Sequence, residues 1–260
     1  MPKRIISVLS GKGGVGKTTI SVNLSALAAS GGSEIVLVDG DIGNPSVGLH
    51  LGLWGYMSGL QNVLAGACKL EDVMVVHPVT GIRVVPSTLE YRRGVSTGRL
   101  GDVLRRASHD TFILDSPPGV SRCVEDILGC CTETVVVVTP DIPSVMSAVK
   151  IIELAKLRKV KVSGLVLNRV QKKKYEMHQR EIESTCNVPI LVSIPEDRVV
   201  PESISARIPV VLYAPKSPVS RDLGDLAVEL GLGGGGGGGA AIGGNAVARF
   251  FRWLSRLFGG

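Results

Sequence analysis

The sequence predicts an α/β fold, a doubly wound and mostly parallel sheet with helices on both faces. Three observations carry this. Seven or eight short runs rich in Val, Ile and Leu alternate with stretches of helical spacing. Apolar residues make up 44% of the chain and aromatic residues only 4%, so the core is built of the branched aliphatics that parallel sheets bury on both faces. A glycine-rich octapeptide, Gly11 to Thr18, joins the first apolar run to the first helical one. With 260 residues the chain can bury one full core, which the motifs place in residues 1–230. A glycine-rich linker, 231–244, and an amphipathic helix, 245–260, follow.

Arg4 to Ser10 is β-branched and apolar and reads as a buried strand. Thr18 to Ser30 sets Ile20, Val22, Leu24, Leu27 and Ala28 among small residues and reads as a helix. Glu34 to Asp39 is a second buried strand. Residues 60–76 read as a short helix and connector, and Ile82 to Pro86 as a strand. Arg92, Arg93, Arg99, Arg105 and Arg106 read as a solvated helix surface. Thr111 to Asp115 is a buried strand that delivers an acid to the end of the sheet. Thr134 to Pro140 is a central strand, followed by a helix from Ser144 to Arg158 with Val145, Ala148, Ile152 and Ala155 on one face. Gly164 to Arg169 is a further strand, Pro209 to Leu212 a last short one, and Arg221 to Leu230 the last helix of the body.

Gly11-Lys12-Gly13-Gly14-Val15-Gly16-Lys17-Thr18 fits G-x-x-x-x-G-K-S/T at every fixed position. Glycines let backbone N–H groups turn inward and approach phosphate oxygens. The helix N-terminus, continuing through Thr19, adds partial positive charge. Lys17 can reach β- and γ-phosphates, and the Thr18 hydroxyl can ligate Mg²⁺. Asp39 and Asp41 lie at the carboxyl end of a strand beside this loop, where open α/β sheets bind ligands. Asp39 and Asp41 are candidate Mg²⁺ ligands; the other reading of both is that they cap the next element or pair with a lysine. Asp115 can hold Mg²⁺ through water, and Gly119 follows at a spacing that lets its N–H swing toward a γ-phosphate.

A simple phosphate cradle does not require the second lysine, Lys12. With it, Lys12 to Thr18 resembles the deviant Walker A motif of the MinD/ParA family of P-loop ATPases. The resemblance implies ATP and Mg²⁺ as cofactors and Mg²⁺-dependent ATP hydrolysis. It also implies a nucleotide-sandwich homodimer in which Lys12 crosses to the partner's nucleotide. Lys12, Lys17 and Asp41 become the catalytic candidates. The segment from Asp39 to Gly43 becomes switch I, with Asp41 near the attacking water, orienting or deprotonating it. Residues 115–119 resemble switch II. Many members carry an asparagine five residues after the second acid. Here that position is Ser46, and an asparagine stands at Asn44. Asn168, with Arg169 beside it, takes the place of the amide that reads the adenine edge, since an amide offers both donor and acceptor. Pro195, Glu196 and Asp197 take the place of the backbone that closes the base pocket. Members present acids early in the helix after the central strand; this chain has Met146, Ser147, Ala148 and Val149 there.

Net charge is +6, of which Arg249, Arg252 and Arg256 supply three; residues 231–260 contain no acid. The remaining +3 on the body is too weak to argue nucleic-acid binding. The cysteines, Cys68, Cys123, Cys130, Cys131 and Cys186, form no C-x-x-C and read as reduced core or surface thiols of a cytoplasmic protein. The start runs straight into the first strand, which predicts no secretory leader. Gly233 to Gly239 are seven consecutive glycines, a flexible tether. Beyond them, at ~100° per residue, Val247, Phe250, Phe251, Leu254, Leu257 and Phe258 share one helical face with Trp253 at its edge, and the three arginines lie opposite. At about 20 Å such a helix is too short to span a ~30 Å hydrocarbon core. It matches an interfacial helix on an anionic membrane surface, and the ending resembles the C-terminal targeting motif of the same family. The expectation is an ATPase peripheral on the cytoplasmic face of the cell membrane. It dimerises with ATP, positions cell-division or other polar machinery, and works with a protein partner that is recruited or stimulates hydrolysis. The alternatives are a DNA-partition ATPase, a flagellar-number regulator and a non-hydrolysing scaffold latched by ATP.

Overall fold

A computed structural model describes residues 3–53, 55–89 and 94–233. In chain order the elements are β1 (Arg4–Leu9), α1 (Lys17–Ser30), β2 (Ile35–Asp39), α2 (Val47–Leu51), α3 (Leu60–Leu64), α4 (Leu70–Val73), β3 (Val75–Val76), β4 (Arg83–Val85), a single 3₁₀ turn (Thr97–Arg99) and α5 (Leu100–Arg106). Then come β5 (Thr111–Asp115), α6 (Arg122–Leu128), β6 (Glu133–Val138), α7 (Ile142–Leu157), β7 (Lys161–Val170), α8 (Gln179–Cys186), β8 (Ile190–Pro195), α9 (Val199–Ser205), α10 (Val210–Tyr213) and α11 (Pro218–Glu229). The expected helix over 245–260, with its apolar and arginine faces, lies outside the described residues, as do Arg92 and Arg93.

The strands form one eight-stranded sheet in the order β3-β4-β2-β5-β1-β6-β7-β8. Every pairing is parallel except β3 with β4 at one edge. This is the doubly wound α/β architecture the sequence predicts. Alternate strand residues feed opposite layers, as a period of two requires. Ile5, Leu9, Val36, Val38, Phe112, Leu114, Val136 and Val138 pack under α3 to α8. Ile6, Val8, Ile35, Leu37, Ile113, Val135 and Val137 pack under α1, α2, α10 and α11. With both faces covered, the central strands are apolar at nearly every position.

Local chemistry sets the helix starts. Asp141 caps α7, its Oδ1 accepting from Ser144 N at 3.0 Å, and a proline lies in the first turn. Ser217 caps α11 in the same way, again with a proline in the first turn. Proline has no N–H to lose there and its φ is already helical. Both helices therefore begin a few residues earlier than apolar spacing alone predicts.

Pro209 to Leu212 is not a strand. Val210–Tyr213 is a helical turn, α10, and the apolar run is buried beside α1 and α11. The reason is tertiary. The backbone N–H of Val211 donates to the buried Asn23 Oδ1 at 3.0 Å, while Asn23 Nδ2 donates to Thr19 O at 2.7 Å. Asn23 thus fixes a helix N-terminus against α1, and no strand edge is needed to satisfy that amide. Ile190–Pro195, which the periodicity leaves unmarked, supplies the edge strand β8 instead.

Replacing Asn23 with Ala is expected to leave the Val211 N–H buried and unpaired. A thermal or urea melt should register a loss of about 1–3 kcal/mol.

Candidate nucleotide-binding site

The parallel register sets Asp39 beside Asp115 at the carboxyl ends of β2 and β5. Val8 of β1 pairs with Asp115 on the other side, so the glycine loop leaves the sheet next to both acids. Gly16 has φ +101° and caps α1, a left-handed conformation that favours glycine. A Cβ there would also lie 2.3 Å from Asn168 Nδ2. Gly11 is needed for closeness: a Cβ there would lie 2.3 Å from the Ser147 carbonyl group in α7. The loop is thereby seated against α7 on one side and against the end of β7 on the other.

Lys17 and Thr18 open α1 and point into the acid cluster. Thr18 Oγ1 donates to Asp115 Oδ2 at 2.7 Å, and Ser21 Oγ to Asp115 Oδ1 at 3.0 Å. Asp39 accepts at Oδ2 from the N–H groups of Ser46 (3.1 Å) and Val47 (3.0 Å), so it caps α2. Asp41 accepts from Asn44 N at 3.0 Å. Of the two roles the sequence left open for Asp39, capping is the one the hydrogen bonds display.

The electrostatics follow from burial. Asp39 and Asp115 are essentially sealed from solvent. Desolvation pushes Asp115 up to about 6, against the pull of the Thr18 hydroxyl and of Lys17. Asp39 is raised well above the ordinary carboxylate range, first by desolvation and then by the Asp115 charge. Asp41 is raised by desolvation too. Desolvation lowers Lys17, opposed by Asp115 and Asp41. Asp115 and Asp41 share this one buried lysine, which does not ease Asp39, and Asp39 Oδ1 is buried with no hydrogen-bond partner. A hydroxyl and hard carboxylate oxygens around a deficit of positive charge fit Mg²⁺. Thr18 would hold it, with Asp115 behind.

Two predicted residues stand at the edge of the site, Lys12 exposed and Gly119 partly buried. Lys12 Nζ lies 3.5 Å from Asp141 Oδ1, both side chains about half exposed. Gly119, at φ +79°, donates its N–H to Ser10 O at 2.9 Å. That amide faces the glycine loop but bonds to protein in this conformation.

Farther along the loop, Gly16, Thr19, Asn168, Arg169, Pro195, Glu196 and Asp197 line one cavity of about 170 Å³. Asn168 Nδ2 donates to Val15 O at 2.7 Å, which ties this cavity to the phosphate loop. Arg169 has φ +60° and its guanidinium lies 3.7 Å from Glu196 Oε2. The apolar wall comes from Val200, Pro201 and Ile204 of α9 and Val219 and Leu223 of α11, which carry no motif of their own. Ser21 and Ser46 likewise carry no sequence signal as contacts of the site; Ser46 stands out in the sequence only as a departure from a pattern.

The thiols are quiet. Cys123 donates to Gly40 O at 3.6 Å, and burial pushes it up to about 11. Burial also raises Cys131 well above its ordinary value. Among the described residues no helix is long and apolar enough to cross a membrane.

Residues 1–230 match the profile of the ParA family, described as a NUBPL iron-transfer P-loop NTPase. An uncharacterized ATP-binding protein of Methanocaldococcus jannaschii is 34% identical over 230 residues, which is 86% of each chain. The septum site-determining protein MinD of Pyrococcus horikoshii, solved in complex with Mg-ADP, superposes with a TM-score of 0.82 at 29% identity, covering 87% of this chain and 95% of that one. The cell division ATPase MinD of Pyrococcus furiosus gives 0.83 at 29% identity over 88% and 98%.

The raised carboxyls make the metal-free protein pH-sensitive. Asp115 titrates near 6 when folded and near 3.8 as an ordinary carboxyl, so the folded state holds its proton more tightly. That stabilisation is complete below about pH 4 and lost as pH rises through 6. Asp39 and Asp41 act in the same direction. In EDTA the melting temperature is expected to fall between pH 4.5 and 7, and Asp115→Asn should flatten the slope.

Proposed function

Because the chain belongs to the MinD/ParA family of P-loop NTPases, we propose that it is a membrane-associated ATPase. In this reading it dimerises with ATP, binds the cytoplasmic face of the cell membrane through its C-terminal helix and positions cell-division machinery. Its substrates and cofactors are ATP and Mg²⁺, and a protein partner is recruited by it or accelerates its turnover.

The observation that carries this reading is the setting of Lys12. Its partner Asp141 is half exposed, and such a pair contributes roughly 0–1 kcal/mol. Lys12 is therefore free to exchange Asp141 for the phosphates of a second copy's nucleotide. The exposed apolar side chains of Val120, just after the switch II segment, and of Ile142 and Met146, at the start of α7, lie in the segments that flank Lys12 and Gly11. A surface with a loosely held cation and apolar neighbours suits a self-association that depends on nucleotide.

The chemistry assigns each residue a task. Backbone N–H groups of residues 13–18 and Lys17 hold the β- and γ-phosphates. Bound Mg²⁺ would supply charge neutralisation on those phosphates, held by Thr18 with Asp115 behind. Asp41 orients the water or takes its proton, and a raised pKa suits a base that must work near neutrality. Asn168 and the backbone of Pro195 to Asp197 receive the base. The tail turns dimerisation into attachment: one short helix binds weakly, but two at one surface bind at high effective concentration.

Co-sedimentation with anionic vesicles tests the whole reading, using the full chain and a truncation after Gly233 that keeps the buried Leu232. Only the full chain should pellet, and more with ATP than with ADP. Equal pelleting with both nucleotides would remove the switch. No pelleting would make the tail a protein-binding helix. In the same protein Lys12→Ala should abolish ATP-dependent dimerisation by size exclusion. Asp41→Ala should lower kcat by about two orders of magnitude while ATP affinity holds.

A further inference from the structure

Ser46 stands immediately before α2, and both its polar groups face the acid cluster. Its N–H donates to Asp39 Oδ2 at 3.1 Å. Its hydroxyl oxygen lies 2.8 Å from Thr18 Oγ1. Thr18 spends its one proton on Asp115 Oδ2 at 2.7 Å. It must therefore accept from Ser46, whose O–H is the donor of the pair. The Ser46 backbone is pinned to a carboxylate that is sealed from solvent, so the hydroxyl is placed by the sheet itself and not by a free loop.

We propose that Ser46 Oγ is a second protein ligand, beside Thr18 Oγ1, of the Mg²⁺ that accompanies the nucleotide. The inference rests on the nucleotide reading above and adds a ligand to it from switch I. Its first support is spacing. Adjacent corners of an octahedron with 2.0–2.1 Å bonds are about 2.9 Å apart. Two hydroxyl oxygens 2.8 Å apart already stand at that separation. Its second support is the fate of the protons. When both oxygens turn a lone pair to the metal, Thr18 keeps its bond to Asp115. The Ser46 proton needs a new acceptor, and Asp39 Oδ1 is buried without a partner on the carboxylate that already holds the Ser46 N–H. No proton is lost and no bond is broken; one hydrogen bond changes acceptor. Its third support is chemical type. A serine hydroxyl can ligate Mg²⁺ at this distance and remain neutral, so the site gains a ligand without a fourth carboxylate in a cluster already short of positive charge.

The consequence is mechanical. Ser46 leads directly into α2, whose N-terminal amides are held by Asp39. Metal occupancy then bears on the position of α2, not only on the phosphates. Without the metal, the Ser46 hydroxyl would donate to Thr18 Oγ1, 2.8 Å away.

The test uses Mn²⁺ binding to the ADP-loaded full chain, read by the loss of the free Mn²⁺ electron paramagnetic resonance signal. Ser46→Ala should weaken Mn²⁺ binding tenfold or more, while ADP affinity in EDTA is unchanged. Ser46→Thr keeps a hydroxyl and should restore it. Ser46→Cys should favour Cd²⁺ over Mg²⁺ far more than the parent does, because a thiolate selects soft metals. The proposal is overturned if Ser46→Ala binds Mn²⁺ as the parent does. It is overturned equally if ADP affinity in EDTA falls to the same extent, since the residue then shapes the loop and not the metal site. If the parent itself shows no metal-dependent ADP binding, the nucleotide reading fails first, and with a different signature.

Discussion

Two buried carboxylates side by side at the ends of adjacent parallel strands set the terms for the rest of the molecule. Asp39 and Asp115 are register partners and both are sealed from water. A pair of like charges in that position is unfavourable in the bare protein, which is why both are raised toward the protonated form. Everything around them reads as partial compensation. Lys17 is drawn in despite the cost of its own desolvation, Thr18 and Ser21 donate to Asp115, and the amides of Ser46 and of Val47, at the start of α2, donate to Asp39. The compensation is incomplete, and the remainder is positive charge of the kind a bound cation would supply. Stability withheld at a site of this kind is a common companion of function.

The glycine loop is shaped by what it must touch. Gly16 needs a left-handed backbone and Gly11 needs a Cβ-free approach to α7. Gly40 belongs with them, since a Cβ there would lie 2.7 Å from the Asp115 carbonyl oxygen. These three glycines bring the phosphate loop, switch I and the end of β5 to van der Waals distance. Asn168 then bonds the loop carbonyl of Val15, so the cavity expected for the base and the cradle expected for the phosphates share one rigid frame.

The two faces of the sheet divide the labour. The layer of α1, α2, α10 and α11 holds the ligand-facing helices, and its polar ties, such as Asn23 to α10, fix where they start. The layer of α3 to α8 packs a continuous apolar core against the other face, and its α7 meets the phosphate loop at Gly11. Between them the site lies at the carboxyl edge, as open parallel sheets require. The exposed start of α7, with Ile142 and Met146, continues that edge outward to the surface.

The sequence by itself determined the architecture and the phosphate loop. Both are written in short-range terms, the alternation of aliphatic runs with helical spacing and the fixed glycines, lysine and threonine of residues 11–18. It also marked Asp39, Asp41 and Asp115, because an acid ending an apolar run beside such a loop is a local pattern. It could not tell whether Asp39 meets a metal or caps a helix, because that depends on where the amides of Ser46 and Val47 fold back. It read Pro209 to Leu212 as a strand, because β-branched residues favour one until a distant Asn23 claims the Val211 amide. It left Ser46 as an unexplained departure and gave no sign of the α9 and α11 wall of the cavity. Those facts were decided only by the folded structure, since the residue types carry no signal until the chain sets them a few ångströms apart. It does so across seven or eight residues for Asp39 with Ser46 and Val47, and across far longer stretches for Asn23 with Val211 and Thr18 with Ser46.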